Sequence, residues 1–241
     1  MAARARREPL SRERVLAAAV ALADAEGIQA LTMRRLAALL GVEAMSLYHH
    51  LPAKEALLDG VVEAVLAELD AEVGRLGDHA SADDGAGPGG NAGGAQWRAR
   101  LRGQFLAARR VMLRHPWAPG LLGSRRTVPA RVLAYYDGIV GTLVGAGFSY
   151  HLAHRALHAF GSMPLGFVQE LFSPASVGDS AQVDAVEADL AAMADALPHL
   201  TAMVMAASHD ADDPTLGWCD SQVEFEFTLD LLLDGLARLR G

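Results

Sequence analysis

Residues 32–50 read TMRRLAALLGVEAMSLYHH. Thr32 stands where a helix N-cap belongs, Leu36, Leu39 and Leu40 recur on one helical face, and Gly41 supplies a stop. After the three residues GVE a second short helix begins, with Val42, Leu47 and Leu51 directed inward. Ala44, Met45, Ser46, Tyr48, His49 and His50 are left facing outward. Two short helices joined by a glycine-containing turn form a helix-turn-helix, whose second helix enters a DNA major groove about 12 Å wide. The outward residue types suit that surface. A Ser hydroxyl bonds bases or phosphates, Met and Ala touch a thymine methyl, and Tyr and His reach phosphate oxygens. Lys54 adds a phosphate anchor at the next helix N-terminus, and Thr32, Arg34 and Arg35 address the same duplex from the preceding one. The alternative is that Tyr48 and His50 simply pack inside a three-helix head.

Working outward, Val15, Leu16, Ala19, Leu22 and Ala23 mark a helix that starts near Ser11 and ends at Gly27. Another runs from about 53 to 73 with Leu58, Val61, Val62, Val65, Leu69 and Val73 in register. Residues 74–96, rich in Gly, Ala, Asp and Ser, read as a flexible loop; no strand precedes them and no phosphate-binding signature sits in them. Helices resume at about 97–115, 128–147, 149–172, 184–197, 199–208 and 220–240, between prolines and glycines. The last opens with a strand-like alternation, VEFEF, but Phe225, Leu229, Leu232, Leu233, Leu236 and Leu239 fit the helical period over a longer window. The expected class is all-α: a helix-turn-helix head with a basic tail (1–53), a connecting helix (54–73), a loop (74–96) and a larger helical body (97–241).

Composition agrees with a DNA-contacting head on an acidic body. Of 241 residues, 51% are hydrophobic, enough for one large or two modest domains. Net charge is −8. Residues 1–59 nonetheless hold eight Lys or Arg against seven Asp or Glu, and residues 60–241 hold thirteen against twenty-two. Five arginines fall in the first fourteen residues, which also suits a plain solvated tail. No apolar run approaches the roughly 18 residues of a membrane span, and no signal core follows the Arg-rich start, so a cytoplasmic protein without a membrane partner is expected. Cys219 is the single cysteine, which excludes an intrachain disulfide and a Cys-based metal cluster.

Across about the first 65 residues, "EG" followed by an apolar residue, "LTMRRLA", "LGV", "SLYHH" and a basic residue before "LL" resemble, in that order, the DNA-binding domain of the TetR family of transcriptional regulators. The resemblance implies an all-helical homodimer whose two heads bind a palindromic operator through Thr32, Arg34, Arg35, Ala44, Met45, Ser46, Tyr48, His49, His50 and Lys54. Ala44 stands where the tetracycline repressors read a base with an amide. More weakly, "QWRARLR", "RHPW", "GAGFS" and "FEFTLDLLLDGL" resemble the C-terminal domain of those repressors. That implies dimerisation through the 149–172 and 220–240 helices, although an intrachain core would give the leucine-rich face of 225–239 the same pattern.

It also implies a small-molecule effector in the body. Gln104, Ala108, Met112, Trp117, Tyr135, Ile139, His158, Met163, Phe167 and Glu170 are candidate lining residues, with core packing the alternative for each. Gln104, Ile139 and Leu122 replace an asparagine, a glutamine and a metal-binding histidine of the tetracycline site, and only Glu170 matches. The expected effector is therefore an amphipathic, partly aromatic molecule other than magnesium tetracycline, with no cofactor required. His151, His154 and His158 share a helix face at a spacing that directs imidazoles at a metal. No acidic residue stands among them, and neither HExxH nor GxSxG occurs, so neither a metal site nor a catalytic one is assigned. The expectation is an effector-released repressor, against a constitutive DNA-binding dimer and a helical metalloenzyme.

Overall fold

A computed structural model describes residues 9–83, 92–125, 127–166, 196–207 and 221–240. The elements are α1 (Arg12–Glu26), a 3-10 turn (Ile28–Ala30), α2 (Met33–Leu40), α3 (Ala44–Tyr48), α4 (Lys54–Asp83), α5 (Ala92–Arg114), α6 (Ala118–Gly123), α7 (Ala130–Gly145), α8 (Tyr150–Gly161), α9 (Met163–Gly166), α10 (Pro198–Ala207) and α11 (Ser221–Arg238). The fold is all-helical, and no strand occurs among the described residues. They group into two compact units: residues up to Arg75 with Arg110–Tyr135, and Leu76–Arg109 with Tyr136 onward. α4, α5 and α7 each contribute to both units.

In the first unit the start and stop signals act as read. The Ser11 hydroxyl accepts the Arg14 N–H at 3.2 Å, and Thr32 accepts that of Arg35 at 3.1 Å. Gly41 ends α2 at φ +66°, ψ +38°, a left-handed conformation that glycine adopts without a Cβ clash. Its N–H reaches the Ala38 carbonyl at 3.2 Å and that of Val42 reaches Ala37 at 3.0 Å, the paired bonds of a Schellman motif. Val15, Leu16, Ala19, Leu22 and Ala23 bury one face of α1, and Leu57, Val61, Val62, Val65, Leu66 and Leu69 one face of α4. Four apolar assignments change, Leu40 and Val73 being half-buried among them. Leu39 is 59% exposed, because α2 is only eight residues long and buries Met33, Leu36 and Ala37 instead. Leu58 is half-buried, and Leu57 takes the inward place.

The expected loop at 74–96 is helical at both ends: α4 continues to Asp83 and α5 starts at Ala92, leaving 84–91 outside the described residues. Once nucleated, a helix gains a hydrogen bond per added residue, and the alanines here favour that growth. The expected helix at 184–197 and the end of the 149–172 helix also lie outside the described residues, save a turn at 196. α6 was not expected. Pro119 was read as a break, yet it sits in the helix's first turn, where its missing N–H costs nothing.

Polar contacts and ion pairs hold α4 to residues 114–131. His115 is buried between Asp24 of α1 (Nδ1, 2.8 Å) and Glu68 of α4 (Nε2, 2.9 Å). The Trp117 indole N–H donates to the same Asp24 oxygen at 2.7 Å. Arg114 reaches Glu68 at 2.7 Å and Glu72 at 2.9 Å, Arg125 pairs with Glu55 and Asp59, and Arg131 with Glu63 and Asp70.

The second unit has an aromatic core. Trp97 meets Phe148 edge-on at 4.9 Å, and Phe105 stacks on Phe160 at 5.2 Å. α5 is fastened to α11 by Arg98 with Asp230 and Asp234, and by Arg102 with Glu226 at 2.6 Å and Asp230 at 3.1 Å. α11 buries Phe225, Leu229, Leu233 and Leu236 against its own unit, so that leucine-rich face is intrachain core and not the dimer surface it also resembled. Leu232 is half-buried, and Leu239 is 66% exposed.

Burial alone would raise the Glu68 carboxyl, but hydrogen bonds from His115 and Arg114 outweigh it and hold the group below the usual carboxylate range. A carboxyl lowered by folding adds stability that is present above its unfolded pKa of about 4.3 and lost as pH falls through its folded value. Thermal melts from pH 7 to pH 3 should therefore show a lower Tm at pH 7 for Glu68→Gln than for wild type, with a smaller fall on acidification. Parallel curves would remove the assignment.

Candidate nucleic-acid interface

The turn fixed by Gly41 sets α3 against the head through Leu47, which has no exposed surface, while Leu51 just beyond is 1% exposed. Val42, the third expected anchor, is half-buried. α3 spans five residues, so His49 and His50 lie in the turn after it. Met45 is 70% and Tyr48 41% exposed, and His49 is exposed as well. Ala44, Ser46 and His50 are half-buried at the edges of that surface. Lys54 opens α4 as an exposed side chain, and Thr32, Arg34 and Arg35 are exposed at the start of α2. The first unit thus presents the ten expected contact residues at the α2 start, along α3 and at the α4 start.

Two of them carry a second duty. The Thr32 oxygen already accepts the Arg35 N–H, and its O–H remains a donor. The Arg35 guanidinium is held by Glu26 at the end of α1, through Nη2 at 2.6 Å and Nε at 3.3 Å. The hydrogen bond from Arg35 lowers the Glu26 carboxyl, and Glu26 in turn raises the guanidinium. Glu26 was not among the expected residues. Its signal was an acidic residue nine positions before an arginine across a chain reversal, which no helical or strand spacing picks out. At the other edge, Glu13 in the first turn of α1 is lowered first by its own backbone N–H and by the Ser11 hydroxyl, with smaller contributions from Arg12 and His50.

The expected effector residues divide. Gln104, Ala108, Ile139 and Met163 are buried in the second unit. Met112 and Trp117 are buried in the first, with half-buried Tyr135. Trp117 is committed to Asp24, since a buried indole N–H requires an acceptor. His158 is exposed, on the side of α8 away from Ala153, Ala156 and Phe160, and so does not line the interior. Phe167 and Glu170 lie outside the described residues. A cleft of about 600 Å³ occurs in the first unit, lined by Glu55, Asp59, Glu63, Arg125 and neighbours, none of them an expected effector residue. Among the described residues no three His, Cys, Asp or Glu side chains converge on a metal position, and no helix is long and apolar enough to cross a membrane.

The family model for bacterial regulatory proteins of the tetR family matches residues 15–61, and that for the tetracyclin repressor-like C-terminal domain matches residues 89–240. The class A tetracycline repressor of Escherichia coli transposon 1721 is 31% identical, over 94% of this chain and 90% of its own length. A solved Streptomyces coelicolor A3(2) protein described as a possible TetR family transcriptional regulator is 29% identical, with TM-score 0.68, over 95% of this chain and 100% of that one. A TetR variant of Acinetobacter baumannii AYE in complex with minocycline is 26% identical, with TM-score 0.59, over 96% and 95%. The chain spans about half the length (51%) of the HTH-type transcriptional regulator of Saccharopolyspora erythraea that it matches at 32% identity over 58% of its own.

Leu47→Ala is expected to cost about 2–5 kcal/mol of stability, because the cavity opens under α3. Met45→Ala should cost under about 0.5 and Tyr48→Ala under about 1 kcal/mol, as surface substitutions. Urea unfolding midpoints check this. A Tyr48→Ala loss as large as that of Leu47→Ala would make Tyr48 a packing residue.

Proposed function

Because the chain belongs to the TetR family of transcriptional regulators, we propose that it is a repressor that holds a palindromic operator as a homodimer and releases it when a small molecule binds its C-terminal domain. It is a regulator and not an enzyme. The observation that carries the operator reading is α3 itself, pinned by buried Leu47 while Met45, Tyr48 and His49 remain exposed. In that role Met45 and Ser46 meet base edges, and Tyr48, His49, His50, Lys54 and the α2 arginines meet phosphates. Arg35 would exchange Glu26 for a phosphate, or share itself between them.

The dimer reading rests on a different set of residues from the leucines of the sequence pattern. Val223, Phe227 and Leu231 are 52%, 64% and 60% exposed at successive turns of α11, and Tyr150 at the start of α8 is 74% exposed. Such an apolar row is stable in water when a second surface covers it. Two heads carried by such a dimer fit successive major grooves if α3 and its mate lie about 34–36 Å apart. The minocycline complex of the Acinetobacter relative supports an effector for this chain too. Release requires the effector to bind the two conformers of the dimer unequally, since equal binding shifts nothing. The absence of a membrane-crossing helix among the described residues is consistent with action in the cytoplasm.

Fluorescence anisotropy against the DNA flanking the gene, at two salt concentrations, tests the operator reading. Saturable binding that weakens with salt is expected. The Tyr48→Ala, Lys54→Ala double variant should bind less tightly and lose about 0.9 from the salt slope, all of it from the Lys54 cation, since neutral Tyr48 releases no counterion. Full-strength binding by that variant would contradict the assignment. Separately, Phe227→Asp should shift sedimentation from dimer to monomer while leaving the helical circular dichroism intact; an unchanged dimer would move the interface elsewhere.

A further inference from the structure

α8 turns Ala153, Ala156 and Phe160 inward and leaves His151, His154 and His158 exposed. His154 and His158, one helical turn apart, bring their rings to 4.7 Å between centroids with planes at 85°. Among the described residues, neither the core nor the operator surface uses this pair. We propose that His154 and His158 are half of a site for a zinc-class divalent cation, completed by the same pair from a second copy of the chain. The inference rests on the homodimer reading above.

The chemistry follows from the ligand set. Imidazole suits zinc, nickel and copper, and side chains four apart on a helix are neighbours on one face, so two ring nitrogens can serve one ion. A closed zinc site takes four ligands in a tetrahedron. Among the described residues, one chain brings no third His, Cys, Asp or Glu to such a position, so it offers only the pair. No described residue of the chain supplies the missing ligands, and a second copy is the source that the surface favours. α8 packs on α11, whose outer row of Val223, Phe227 and Leu231 lies exposed, and Tyr150 at the start of α8 is exposed as well. In a two-fold interface the same patch lies on both sides, and residues near the axis meet their own symmetry mates. Two imidazoles on this face thereby become four. Arg155, also exposed, precedes His158 by three residues on α8, so one fixed cation borders the imidazole pair.

The test uses full-length protein without a histidine tag, stripped with EDTA, dialysed, and titrated with zinc chloride by calorimetry. Sedimentation is run in parallel with EDTA and with zinc. One zinc per dimer, and a dimer dissociation constant at least tenfold lower with zinc, are expected. Both effects should disappear in His154→Ala and in His158→Ala and persist in His199→Ala, with circular dichroism confirming the fold of each variant. The stoichiometry on unmodified protein decides the matter even if a variant fails to fold. A dimer in EDTA that takes up no zinc overturns the metal site alone, as does uptake that survives the double His154→Ala, His158→Ala change or one zinc per chain without effect on association. A chain that stays monomeric with and without zinc overturns the homodimer reading and this site with it.

Discussion

His115 occupies a position that few side chains could fill. It is buried, and each ring nitrogen faces a carboxylate, Asp24 on α1 and Glu68 on α4. The His115 ring meets a carboxylate on each side at fixed angles, where an apolar residue would leave both carboxylates without this partner. Trp117 reinforces the bridge by donating to the same Asp24 oxygen and by meeting the His115 ring edge-on at 5.8 Å. A buried polar group is costly to leave without its partner, so a network of this kind holds the elements that contribute to it in one arrangement. Here that arrangement is the placing of α1 on α4. α2 packs on α1 and α3 on α2, so the attitude of the outward face of α3 descends from the Asp24 contact.

The sequence made the local parts of this frame legible because they depend on neighbours in the chain. Ser11, Thr32, Gly27 and Gly41 act over three or four residues, and the inward face of α1 follows from a 3.6-residue period. Leu47 and Leu51 identified the outer surface of α3 by elimination, which is why Met45, Tyr48 and His49 came out exposed. What failed was whatever needed a partner distant in sequence. Leu39 looks like a core residue until α2 proves too short to bury it. Arg35 looks free until Glu26 folds back against it, and His115 sits 91 residues from Asp24.

α11 shows a subtler limit. Its period correctly identified a helix and a buried leucine face, but that face belongs to the chain's own core. A helix that is apolar on two sides has two readings, and periodicity cannot say which side meets the chain and which meets something else. The second side, Val223, Phe227 and Leu231, is separated from the first by Asp230 and Asp234, which are engaged by Arg98 and Arg102. Those arginines secure α5 to α11 and leave the outer row exposed.

Charge carries the same lesson to the DNA-facing surface. Counting residues places a slight positive excess in the first 59 and a large negative one after them. The structure redistributes that count. Behind Lys54, α4 carries Glu55, Asp59, Glu63, Glu68, Asp70 and Glu72, a row of carboxylates that would repel a phosphate backbone if left uncompensated. Arg110, Arg114, Arg125 and Arg131, all from the following segment of the same unit, pair with that row from end to end. Their pairing cancels the local field at short range, and beyond a Debye length of about 8 Å the remainder is screened at physiological salt. Arginines from 110–131 therefore help determine the potential at Lys54 and Arg34 although they touch no expected contact residue. Charge assigned by sequence position misjudges the head, because the arginines that pair with α4 are folded in from residues 110–131.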